Sequence, residues 1–229
     1  MEQQKKPAGK TTMQVLMVIF VAISVGLIIY LAMIQEYSFM MRGLFFPLFL
    51  LIPPLFKWVG LQPCYKLFSL LYAFIIFAYS FGCVYGVFTH MQYMDKISHF
   101  ASGIVFTILG FCLHYWLVGP QPGGLRQGGF LAGSYALFFS MFIAVMWEVI
   151  EFFDFNLTGN DSQNMLTTGV FDTMQDLIAC LVASLLCVAA FALYYTQKAK
   201  LLTPAIVEEF YTLNVAPKAG PSKKRIKNK

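Results

Sequence analysis

Residues 130–154, FLAGSYALFFSMFIAVMWEVIEFFD, decide the fold. From Phe130 to Trp147 there are eighteen residues without an Asp, Glu, Lys or Arg. That approaches the roughly 20 apolar residues a helix needs to cross a hydrocarbon core of about 30 Å. Glu148 and Glu151 then follow one helical turn apart, where a membrane helix normally carries Leu, Ile or Phe. The segment reads as a membrane span whose far end carries carboxylates for a reason.

The rest of the chain agrees with a polytopic membrane protein. Of 229 residues 59% are hydrophobic and 12% charged, about half the ~25% charged fraction of soluble domains. Six helices are expected, at about 13–35, 43–61, 64–88, 96–118, 129–153 and 171–197, separated by polar or Gly/Pro-rich breaks such as GPQPGGLRQGG. They form an all-α transmembrane domain over 13–197, between a short segment, 1–12, and a basic tail, 198–229. The first apolar run exceeds a signal-peptide core and ends without a small-residue cleavage pattern, so it reads as a retained span. Pro47, Pro53 and Pro54 should kink the second span, or make it re-entrant.

Charge sets the orientation. With the N-terminus cytoplasmic and six crossings, Lys5, Lys6, Lys10, Lys57, Lys66, Arg126 and the eight basic residues from Lys198 to Lys229 all fall inside, leaving Arg42 and Lys96 outside. That distribution obeys the positive-inside rule and places both termini in the cytoplasm. The basic tail reads as a topology signal and a contact for anionic lipid, and no nucleic-acid-binding motif accompanies the net charge of +5. Five scattered cysteines form no C-x-x-C pair, which excludes zinc-ribbon and redox spacings.

The acidic residues gather at the other end. Asp95 and His99 are i and i+4 in YMDKISHF, Glu148 and Glu151 are i and i+3 in WEVIEFFD, and Asp172 and Asp176 are i and i+4 in FDTMQDLI. Each pair shares one helix face. Ionisable groups in a membrane normally face the bundle interior and find partners there. So many carboxylates near one histidine need compensation. A divalent cation (Zn²⁺, Mn²⁺, Fe²⁺ or Mg²⁺) would supply it, since carboxylate and imidazole are ordinary ligands for such ions. The alternatives are protonated, hydrogen-bonded carboxyls or an interhelical network with no ion. Asp95 and Asp172 would also serve as helix N-caps. His90 and His114 read as a loop and an interfacial histidine.

Three stretches in order, DKISHFASG at 95–103, WEVIEFFD at 147–154 and FDTMQDL at 171–177, resemble the YjdF-type family of uncharacterised bacterial membrane proteins. There a D-[KR]-x-x-H-F-x-x-G helix start, a W-E-x-x-E helix end and a D-T-x-x-D helix start follow one another. The first element alone is also similar to VanZ-like proteins. The resemblance covers about residues 65–197 and implies a multi-pass protein of the bacterial cytoplasmic membrane. It points to Asp95, His99, Glu148, Glu151, Asp172 and Asp176 as the site and brings no established activity.

Three functions fit these residues. One is a metal-dependent hydrolase or transferase on an envelope or lipid-linked substrate, with Glu148 and Glu151 as catalytic carboxylates. Another is a cation- or proton-coupled transporter or flippase. The third is a non-catalytic envelope or regulatory membrane protein whose cluster holds a structural ion or joins helices.

Overall fold

The computed structural model describes residues 10–33, 46–78, 92–124, 128–197 and 201–216, and all regular structure among them is helical. Helix α1 (Lys10–Met33) is followed by a 3-10 segment (Phe46–Leu51) leading into α2 (Ile52–Trp58). Then come α3 (Tyr65–Phe74), α4 (Gln92–Val118), α5 (Gly129–Thr158), the single turn α6 (Met165–Thr168), α7 (Phe171–Gln197) and α8 (Leu202–Asn214). Among the described residues four helices, α1, α4, α5 and α7, are long and apolar enough to cross a membrane. Their outer faces expose Val18, Phe138, Phe142, Leu186 and similar side chains, a surface suited to lipid rather than water.

Two expected spans differ from a simple crossing helix. The described part of 43–61 is the 3-10 segment and α2, which together rise about 22 Å. Pro53 lies in the first turn of α2, where its missing N–H is tolerated. Of 64–88, α3 continues as a wider turn to Ala78, and 79–88 lie outside the described residues. Helix α4 begins at Gln92 rather than 96, which puts Asp95 inside its first turn. Asp172 likewise lies in the first turn of α7, after Phe171. Neither is the N-cap, although both stand where the helix dipole favours a carboxylate. Helix α5 runs past WEVIEFFD to Thr158 and is closed by Gly159 at φ +77°, whose N–H donates to the Phe155 carbonyl.

Helices α1 and α3 run in the same direction. Lys10 and Met13 line a cavity with Tyr65 and Phe68, and one to two turns further on Phe20 meets Tyr72 edge-on at 5.7 Å. The chain therefore returns between them, and Pro53 and Lys57 of α2 line the same cavity. Lys10, Lys57 and Lys66 consequently share one end of the bundle. Helix α8 lies at that end too, in the first part of the expected basic tail. Ile206, Val207, Phe210 and Tyr211 are buried at helical spacing. Tyr211 packs edge-on against Tyr115 at 5.5 Å, and Lys66 pairs with Glu209 at 2.6 Å. All eight basic residues from Lys198 onward lie outside the described residues.

The bundle turns on α4. Helices α4 and α7 run parallel with a nearly constant register, so that Asp95, His99, Gly103 and Thr107 stand beside Asp172, Asp176, Cys180 and Ser184. Gly103 has no room for a side chain, because a Cβ there would lie 2.6 Å from the Cys180 carbonyl oxygen and 2.8 Å from Ala183 Cβ. Helix α5 crosses the other side of α4, where a Cβ on Gly110 would lie 2.7 Å from Ala136 Cα. Small residues at such crossings let membrane helices gain close van der Waals contact. At the Gly103 level three hydroxyls converge on one carbonyl. Thr107 and Ser140 donate to the Gly103 oxygen at 2.6 and 3.2 Å, and Ser184, 3.4 Å from the same oxygen, donates to Ser140 at 2.9 Å. Gly103→Ala is expected to destabilise the bundle by about 1–3 kcal/mol through overpacking. Ser140→Ala should cost only about 0.6 kcal/mol, as for an average interhelical hydrogen bond in a membrane. Thermal unfolding in detergent measures both.

Candidate functional site

The first turns of α4 and α7 carry ionisable side chains toward each other at the end of the bundle opposite α8. Lys96 Nζ lies 2.6 Å from Asp172 Oδ1, 2.8 Å from the Asp176 carboxylate and 3.2 Å from Asp95 Oδ2. One ammonium thus bridges three carboxylates. Such charge-assisted contacts are shorter and stronger than neutral ones. His99 lies on the same side, its Nε2 3.5 Å from Asp95 Oδ1 and 3.7 Å from Asp176 Oδ1.

Burial is graded across this cluster. The Asp176 and His99 side chains are 3% and 8% exposed, whereas Lys96 and Asp95 are 21% and 32% exposed. Asp176 and His99 form the floor and Asp95 the rim. The floor is held from beneath, since Ser102 Oγ and Cys180 Sγ both donate to the His99 carbonyl, at 2.7 and 3.1 Å. The backbone carrying the imidazole is thereby tied to both α4 and α7.

Helix α5 supplies Glu148 and Glu151. Ser140 lies beside Gly103 and Ala136 beside Gly110, so the antiparallel register brings Glu148 level with the turn holding Asp95 and His99. Glu148 is buried, and its Oε1 has no hydrogen-bond partner. Its Oε2 and its carbonyl accept from Gln163 Nε2 at 3.2 and 2.9 Å. Glu151 is half-buried and accepts the Trp147 indole N–H at 3.0 Å. Asp154 serves the loop instead, accepting from Asn160 at 2.8 Å.

The loop between α5 and α7 folds back over the site. Asp161 accepts the N–H groups of Met165 and Leu166 at 2.7 and 3.0 Å, which fixes α6. Asn164, at φ +50°, donates to Asp172 Oδ2 at 2.8 Å. Gln163 reaches α5 while Asn164 reaches α7, so two adjacent loop amides clip the helices that carry the acids.

Among the described residues, Asp95, His99 and Asp176 form a group whose ligand atoms all lie within 4.8 Å of one another. Ligand atoms about 2.1 Å from a tetrahedral metal would be separated by about 3.4 Å. The two histidine edges, at 3.5 and 3.7 Å, are close to that spacing. Asp172 lies outside the group, engaged by Lys96 and Asn164. Lys96, Gln163, Asn164, Ser102 and Cys180 were not among the expected site residues. Of these only Lys96 gave a signal, as a lone base beside an outer acidic cluster. His114 packs between Tyr115 and Tyr135 as an ordinary core residue, and His90 lies outside the described residues.

The fold and this cluster define an integral membrane protein of parallel and antiparallel helices with an Asp/His/Lys centre at one end. Residues 13–197 match the family model described as "Predicted membrane protein (DUF2238)", and the chain belongs to that family. The match carries neither the YjdF-type nor the VanZ-like name. No curated protein and no solved structure matches the chain.

Gln163→Ala should lower stability by about 1–3 kcal/mol, because it strips the donor from the buried Glu148 carboxylate and carbonyl. Thermal unfolding of the purified variant measures this loss, and an unchanged midpoint would show that the loop clip is unimportant.

Proposed function

We propose that this protein crosses a bacterial cytoplasmic membrane six times with both termini inside. In this reading it binds a divalent cation between Asp95, His99 and Asp176 near the outer surface. The carrying observation is the triangle of one imidazole and two carboxylates, with histidine edges of 3.5 and 3.7 Å. Buried Glu148 Oε1 adds support, since it has no hydrogen-bond partner. Zn²⁺, Mn²⁺, Fe²⁺ and Mg²⁺ all accept carboxylate ligands, and the imidazole favours the transition metals.

The best-supported use of such an ion is hydrolysis or group transfer on a lipid-linked or envelope substrate. A bound cation would supply Lewis acidity and an activated water. Glu148 and Glu151, on the facing helix, are the carboxylates available as general base. Transport has less support. Below the site the Thr107, Ser140 and Ser184 hydroxyls turn inward on the Gly103 carbonyl. Beneath them Phe111 and Phe191 stack at 4.0 Å and are buried.

The six-crossing topology draws on the shared direction of α1 and α3, which requires a return between them, and on the common end occupied by Lys10, Lys57 and Lys66. An alkaline phosphatase fused within the 159–164 loop should be active and one fused at the C-terminus inactive; the reverse pattern would overturn this topology. For the site, elemental analysis of protein purified without chelator should find about one transition-metal ion per chain, and Asp176→Asn and His99→Ala should lose it. A wild-type protein that stays metal-free after dialysis against Zn²⁺ or Mn²⁺ would sink the cation reading.

A further inference from the structure

We infer that Lys96 is a built-in competitor for the cation site, so that an ion enters by displacing the Lys96 ammonium from Asp176. This rests on the cation reading above and names what regulates that site. The geometry carries it. Asp176 Oδ1 is the oxygen nearest His99 on α7, 3.7 Å from Nε2, and it also lies 2.8 Å from Lys96 Nζ. A divalent ion bonded to Asp176 and His99 would put a second cation beside the Lys96 ammonium on one carboxylate oxygen in a site of low exposure, where like charges repel strongly. Lys96 also donates to the other oxygen, Oδ2, at 2.8 Å, so the ammonium occupies the whole carboxylate of a residue that is only 2% exposed.

Lys96 also has somewhere to go. Its side chain is 21% exposed and its neighbour Asp95 is 32% exposed at the rim. A long, unbranched stem can swing an ammonium outward with little backbone change. Asp172 would retain the Asn164 amide at 2.8 Å after the ammonium leaves. The arrangement therefore has two balanced states, one with the tethered ammonium among the carboxylates and one with a divalent ion held by Asp95, His99 and Asp176. In the first, the ammonium offsets one of the three carboxylate charges without any metal, which helps the bundle pack before an ion arrives. Lys96 then sets the threshold concentration at which the site fills.

The test measures Zn²⁺ and Mn²⁺ binding, each alone, to the full chain in detergent by titration calorimetry, for wild type, Lys96→Gln and Asp176→Asn. Lys96→Gln is expected to bind at least tenfold more tightly than wild type, and Asp176→Asn to lose binding. Equal or weaker binding by Lys96→Gln, with wild type still binding, overturns the competitor role and leaves the cation site standing. No binding by either chain overturns both. Because Lys96→Gln can fail to fold, a second measurement uses wild type alone. Modification of Lys96 by a water-soluble amine reagent, read by peptide mass spectrometry, should accelerate severalfold when Zn²⁺ is added and reverse on chelation. An unchanged or slower rate overturns the displacement.

Discussion

The close approach of α4 to α7, where Gly103 leaves no space for a methyl group against the Cys180 carbonyl, sets the positions of the Asp95, Lys96, His99, Asp172 and Asp176 side chains at the end of the bundle opposite α8. Two parallel helices in that register repeat their contacts every fourth residue, which is nearly one turn. Above the glycine, His99 stands beside Asp176, and Asp95 and Asp172 share the Lys96 ammonium; below it, Thr107 and Ser184 share the Gly103 carbonyl. The site is therefore the upper continuation of a helix–helix contact fixed by van der Waals packing. A bulkier residue at 103 would spread the helices and lengthen each of these distances together.

Charge balance is the second constraint. Asp172 and Asp176 are buried on α7, and Lys96 reaches both from α4. Removing one partner of a buried ion pair is commonly worth several kcal/mol, because the other charge is left uncompensated. The same ammonium that permits these acids to sit inside an apolar bundle also stands where a metal ion would bind. From the loop, Asn164 donates to the second oxygen of Asp172 and Gln163 to one oxygen of Glu148.

Much of this was legible before any coordinates. The long apolar runs marked α1, α4, α5 and α7, and the family match over 13–197 agrees with a membrane protein. The i, i+4 spacing of Asp95/His99 and Asp172/Asp176 placed each pair on one face, which the α4–α7 register then brings together. Less visible was the role of Gly103, Thr107, Cys180 and Ser184, because small residues inside apolar helices carry no signal that separates a tight crossing from ordinary packing. Lys96 looked like a stray outer charge, since sequence spacing cannot say that its side chain bridges to a helix 76 positions away. Helix α8 was hidden by its surroundings: basic residues flank it on both sides, and the Ile206/Val207/Phe210/Tyr211 stripe is short. The segment expected as the second span was harder to read because of its prolines; its described part is a 3-10 segment and a short helix.

The central claim is that one transition-metal ion belongs among Asp95, His99 and Asp176. Anomalous diffraction from crystals of the full chain grown with Mn²⁺ and collected above the manganese edge tests it most directly. The account predicts a single strong peak within bonding distance of those three side chains, with the Lys96 ammonium moved away from Asp176. A map with no peak there, and Lys96 still bridging the three aspartates at saturating Mn²⁺, would contradict it.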